Sequence, residues 1–261
     1  MLRALYSSAA GMQSQQMNLD VISNNLANTN TTGFKASRLQ FQDLLYENTR
    51  EAGSQQGGGN MLPASLQIGQ GSVYAGTTRS FTQGDLTQTG NNLDIAIQGN
   101  GFFEVQMPDG TLAYTRDGSF KTDAQGRIVT SDGYPLQSGF QPVPDGTTSI
   151  TITASGAGTF KTGNGGSTNF QIQLARFINP GGLDAVGHNL YKPTNASGTA
   201  ELGDPNQNGF GELQQGSLEL SNVSVVQEMV NLILAQRAYE VNSKAVQAAD
   251  EMMQTSNNLQ R

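Results

Sequence analysis

The stretch "SNNLANTNTTGFKAS", residues 23–37, decides how this chain divides. Four asparagines fall between Asn24 and Asn30, directly after a segment of helical periodicity, and Gly33-Phe34-Lys35 follows at once. Asparagine and threonine side chains compete with the helical backbone for hydrogen bonds, so a run of them ends a helix. Carbonyls at the helix end need partners, Asn tolerates left-handed backbone, and Gly33 permits a bend. Phe34 would then pin the departing chain on an apolar surface. Asn24, Asn28, Gly33 and Phe34 are the expected turn residues.

Upstream of the knot, Leu5, Met12, Leu19 and Leu26 recur at seven-residue spacing. Ala9 and Ile22 fill intervening rungs and only Gln16 interrupts, which makes an a/d seam. Ser7, Gln13, Ser14, Gln15 and Asn18 are expected on the opposite side. The far end of the chain repeats the pattern. Ser224 to Gln227 reads as a capping box. Val226, Val230 and Ile233 then lead into Leu234, Ala238, Val241, Ala245, Ala248 and Met252, a second seam with one phase slip.

Between these ends the period changes to that of strands. "LDIAIQG", "GFFEVQM", "LAYTRDGSF", "GRIVTSDGYPLQ", "TSITITASG", "FQIQLARF" and "NLYKPT" are short β-prone runs separated by turn signals. Asp-Gly pairs at Asp109, Asp117, Asp132 and Asp145 suit type I′ or related hairpin turns. Residues 47–62 are Gly/Gln-rich and read as a connector ordered only against a neighbour. The expected class is α+β. Residues 1–33 and 222–261 would be terminal helices pairing as a coiled coil. Residues 34–69 would be an extended connector, and 70–221 a central antiparallel all-β domain. Two helices alone leave much of their apolar stripes in water, so the pattern predicts self-assembly, and non-closing contacts between copies build a filament.

Composition narrows the function. Charged residues are 13% of the chain, and Asn and Gln together outnumber them. A net charge of -7 without basic runs argues against nucleic acid and against anionic membranes. No apolar run approaches the ~20 residues of a membrane helix, so no direct membrane insertion is expected. The first residues hold no continuous apolar segment, so a cleavable secretory signal is not expected. With no cysteine and one histidine, His188, no metal site, cofactor or catalytic residue is expected. Gly99-Asn100-Gly101 lacks the third glycine of a dinucleotide loop, and "GAGTFKT", residues 156–162, has Phe160 where a phosphate loop has glycine. A paired-carboxylate site assembled from separate loops stays open.

The assembled motifs resemble the bacterial flagellar rod and hook protein family. "NNLANTNTTGFK" (24–35) is similar to its N-terminal signature, and "LILAQRAYEVNSKAVQAADEMM" (232–253) to its C-terminal one. "QGDLTQTGNNLDIAIQGNGFFEV", "YTRDGSF", "GHNLY" and "LQQGSLELSNVSV" resemble its middle. The length suits a rod subunit better than the longer hook protein. The resemblance implies a structural, non-enzymatic subunit of a hollow tubular drive shaft in the basal body. The terminal helices would form its inner layer and the β-domain its outer wall. Implied partners are copies of itself, proximal rod and hook proteins at the two ends, peptidoglycan and outer-membrane ring proteins as a bushing, and the export apparatus. The implied location is the periplasm-spanning rod. A proximal-rod or hook-type relative is the alternative within the family. A secreted β-domain that binds or cleaves cell-wall glycan is the alternative outside it.

Overall fold

The computed structural model describes residues 2–50, 55–56, 60–61, 64–163 and 165–258. Helix α1 (Leu2–Ala27) opens the chain and α2 (Val225–Asn258) closes it. The described strand pairings between them are all antiparallel. The chain divides into two units. Unit 1 holds residues 1–26, 37–78 and 225–261, and unit 2 holds 27–36 and 79–224. The knot after α1 thus belongs with the β-strands, and residues 37–78 with the helices.

In unit 1, β1 (Ser37–Asp43) pairs with β4 (Ser72–Arg79), while β2 (Tyr46–Arg50) pairs with β3 (Leu66–Gly69). The latter hairpin flanks the Gly/Gln-rich part of the expected connector, half of which (51–54, 57–59 and 62) lies outside the described residues. Apolar burial here is sparse. Among the described residues of unit 1, only Ile22, Leu39, Ala235 and Ala249 are fully buried apolar side chains. Large ones stand in solvent, among them Leu45 at 84% exposure and Tyr6 at 75%.

Unit 2 is different because its central strands are buried on both faces. β6 (Ile95–Gln98) and β7 (Phe103–Gln106) follow β5 (Leu86–Gln88), and β8 (Leu112–Thr115) pairs with β7. Phe102 and Phe103 are consecutive, so their side chains go to opposite faces. Phe103 enters a cluster with Ile95, Ile97, Phe120, Phe160 and Leu174, whereas Phe102 enters one with Tyr114, Phe177 and Tyr191. Edge-to-face rings run through both, as in Phe103–Phe120 at 5.0 Å and Tyr114–Phe177 at 4.8 Å. Each such buried side chain contributes roughly 1.5–3 kcal/mol.

A three-stranded meander, β9 (Thr147–Ile152), β10 (Ala157–Thr162) and β11 (Ser167–Gln171), covers the first cluster. The "GAGTFKT" stretch is therefore the meander's middle strand. Unit 2 closes when its last strands return to its first. β12 (Glu212–Gln215) pairs with β6, and β13 (Ser217–Glu219) pairs with β5. Three of the four Asp-Gly turns fit the related hairpin types rather than type I′, and Asp117-Gly118 has no positive φ. At Asp109, Asp132 and Asp145 only the following glycine has positive φ, whereas type I′ needs it at both central residues.

Candidate functional site

Two places in the chain carry the residues singled out by sequence, and each unit holds one. The first is the knot, in unit 2. Thr31 N–H donates to the Asn28 carbonyl at 3.2 Å and Phe34 N–H to the Thr31 carbonyl at 3.3 Å, so successive turns carry the chain on from the end of α1. None of Asn24, Asn25, Asn28 or Asn30 takes left-handed backbone; Gly33 does, at φ +67°. Asn25 and Asn28 use their side chains for hydrogen bonds instead. Thr31 Oγ1 donates to Asn28 Oδ1 at 3.1 Å. In unit 1, Asn25 pairs with Ser37 in both directions, Nδ2 donating to its carbonyl at 2.8 Å and Oδ1 accepting its N–H at 2.9 Å. A primary amide has the donor and acceptor of a peptide group, so Asn25 acts as one extra rung of strand.

Phe34 is only half-buried. The anchor of the knot is Lys35, whose side chain is fully buried. Lys35 Nζ donates to Glu219 Oε1 at 2.6 Å and to the Thr82 carbonyl at 2.8 Å. The other carboxylate oxygen of Glu219 accepts Arg116 Nε at 2.9 Å. Arg116 spends its remaining fork on the carbonyls of Gly101 and Gly99, both at 2.6 Å. Gly33 N–H donates to the Glu219 carbonyl at 2.8 Å, and Thr32 Oγ1 to Asp117 Oδ1 at 2.8 Å. Burial pulls the Lys35 ammonium below the usual lysine range; Glu219 opposes this and Arg116 adds to it. Two cations share one anion here, all out of water.

Unit 2 holds a second buried glutamate. Glu104 accepts Ser138 Oγ at 2.6 Å and Tyr114 Oη at 3.4 Å. Burial first, and the Glu104 carboxylate second, push the Tyr114 phenol up to about 12. Its ordinary value is near 10. A folded value above the unfolded one gives stability that is complete below pH ~10 and lost as pH rises towards ~12. Tyr114→Phe should flatten that loss, worth roughly 2 kcal/mol, in denaturation midpoints measured from pH 9 to pH 12. An unchanged slope would remove Tyr114 from the account.

The second place is the surface of the helices, in unit 1. Leu5, Met12, Leu19 and Leu26 of α1 are half-buried, while Ala9 is exposed. Ser14, expected on the polar side, is buried at 2% exposure, with Oγ donating to the Ser72 carbonyl of β4 at 3.2 Å. Small residues let the helix come this close. α1 meets α2 in the same way, for a Cβ placed on Gly11 would lie 3.0 Å from Asn242 Nδ2. The inward face of α2 accordingly runs through Ala235, Asn242 and Ala249, with the two alanines buried.

The expected α2 seam lies elsewhere. Val230, Leu234, Val241, Ala245, Ala248 and Met252 are exposed, and only Ala238 is half-buried. Leu234 reaches 60% exposure and Val241 65%. At about 100° per residue, this stripe sits roughly a quarter of a turn from the inward face. The exposed apolar row runs over 23 residues, from Val230 to Met252. His188 sits in an exposed turn at φ +53°. Among the described residues no cluster of His, Cys, Asp or Glu could hold a metal, and no helix is long and apolar enough to cross a membrane.

Three segments of the chain match known families. Residues 5–35 match one described as flagella basal body rod protein. Residues 96–159 match the flagellar hook protein FlgE/F/G D1 domain, and 214–259 the flagellar basal body rod FlgEFG protein C-terminal region. Over full length the chain is 48% identical to the flagellar basal-body rod protein FlgG of Borreliella burgdorferi, covering 100% of both chains. It is 49% identical to that of Caulobacter vibrioides over 99% of both, and 42% identical to that of Bacillus subtilis over 100% of both.

Proposed function

The chain belongs to the flagellar basal-body rod protein family and is a structural subunit of the rod, and on that premise we propose that it builds the distal rod by polymerising through unit 1. The helices of each copy pair and then pack against those of neighbouring copies. Their continuous layer makes a straight hollow shaft that spans the periplasm and carries torque from motor to hook. The proximal rod and the hook take its two ends, and ring proteins in the peptidoglycan and outer membrane act as its bushing.

One observation carries this reading. Unit 1 leaves Val230, Leu234, Val241 and Met252 in water, and the three apolar clusters among the described residues all lie in unit 2. A pair of long helices buried on one side is marginal alone. Copies stacked along an axis cover the stripe, and burial of that apolar surface is what stiffens the shaft. Electron microscopy of the concentrated full-length protein, with and without proximal rod as a seed, tests it. Straight tubes are the expected result. Dispersed particles under both conditions would refute polymerisation through unit 1.

A further inference from the structure

We propose that Glu219 is a folding latch: unit 2 is completed only when β13, which carries this residue, docks and closes one carboxylate over the two cations Lys35 and Arg116. Until then the strap of residues 27–36 and the turn after β8 stay unlocked. The inference concerns unit 2 by itself and goes beyond the rod reading.

The geometry points to Glu219 as the shared bolt. Its side chain accepts Lys35 Nζ, Arg116 Nε and the Gly84 N–H, the last at 3.0 Å, while its own carbonyl accepts the Gly33 N–H. Three separate segments are thus tied by one residue. Neither cation has another anion bonded to it in the described network, since Lys35 and Arg116 otherwise bond to carbonyl oxygens. Both are buried, Lys35 at 1% exposure and Arg116 at 4%. A buried cation without its anion is strongly unfavourable, so a chain lacking Glu219 in place holds these side chains in water and leaves the strap undocked.

Order in time follows from separation in sequence. Lys35 and Glu219 are 184 residues apart, Gly84 and Glu219 135, and Arg116 and Glu219 103. The meander β9–β10–β11 closes by pairs 6 to 15 residues apart, from Ile152–Gly158 to Thr147–Thr162. Loop-closure entropy makes long-range contacts the late ones. Even the fit of the strap presupposes its neighbours, for a Cβ on Gly33 would lie 2.7 Å from the Asp117 nitrogen. The chain leaves unit 2 towards α1 through the strap and towards α2 through residues 220–224. One late contact therefore fixes both exits together.

Folding kinetics of the dilute full-length protein decide the matter. Glu219→Gln keeps the shape but strands both cations; Lys35→Met removes one cation and leaves Glu219 with Arg116. For a contact made after the transition state, destabilisation appears in the unfolding rate. Glu219→Gln should unfold at least about tenfold faster and refold within about twofold of the parent. Lys35→Met should show the same pattern with a smaller effect, and it serves alone if Glu219→Gln does not fold. Hydrogen exchange at Gly33 and Ala36 should speed up in both variants more than in β10. Refolding slowed in proportion to the lost stability, or equal effects from the two variants, would overturn the latch.

Discussion

Leu234→Asp and Val241→Asp each abolish tube formation while the chain stays folded. Both side chains stand in solvent in the single chain, so the substitutions cost at most about 1 kcal/mol of monomer stability, chiefly through helix propensity. In a packed layer the same carboxylate lies in a dry contact without a partner. That costs several kcal/mol per subunit, and each ~1.4 kcal/mol raises the concentration needed for assembly about tenfold. Sedimentation and electron microscopy at matched concentrations check it. Ala249→Asp provides the contrast, because Ala249 is 2% exposed in the single chain. It should unravel the helical unit itself. Normal tubes from Leu234→Asp would mean that the exposed stripe has no part in assembly.

Gly33→Ala should unfold unit 2 at markedly lower denaturant. Gly33 has φ +67°, and a Cβ there would lie 2.7 Å from the Asp117 nitrogen and 2.8 Å from the Arg116 carbonyl carbon. Left-handed backbone on a side-chain-bearing residue costs ~1–2 kcal/mol by itself. The contacts are with backbone, which cannot swing aside, so the strap must lift and loosen Lys35 from Glu219. A total of about 3 kcal/mol is expected, at the upper end of strain at special backbone positions. Chemical denaturation followed by tyrosine fluorescence reads it. A change below about 0.5 kcal/mol would show that the strap is not seated as described.

How far the sequence carries can be judged from these same residues. The two helices were readable because apolar residues recur at helical spacing, and strands such as Ile95–Gln98 and Phe103–Gln106 because β-prone runs sit between glycine-rich turns. The face of α2 turned towards α1 was not readable. Its buried members are Ala235 and Ala249 beside Asn242, and small or polar residues leave almost no mark in a hydropathy pattern. The pattern instead picked out Leu234 and Val241, the larger side chains that the chain itself leaves exposed. Ser14 misled for the same reason, since a buried hydroxyl satisfied by a carbonyl looks like a surface residue in sequence.

The knot was readable as a helix end and not as a lock. Its asparagines suggested left-handed backbone, but the amides of Asn25 and Asn28 found hydrogen-bond partners and only Gly33 took that conformation. Lys35 looked like an ordinary cation. Its partner lies 184 residues away, and no local spacing announces a contact at that distance. A single lysine after a Gly-Phe pair, with a lone glutamate close before the last helix, is the only trace in the sequence.

The central claim is that the exposed stripe of α2 becomes the dry contact between copies. A cryomicroscopy reconstruction of tubes grown from the full-length protein tests it most directly. Val230, Leu234, Val241 and Met252 should be buried against helices of neighbouring subunits, with α1 still held to α2 at Gly11 and Asn242. Tubes in which those four side chains face open solvent or the lumen, with subunit contacts made by unit 2 alone, would contradict the account.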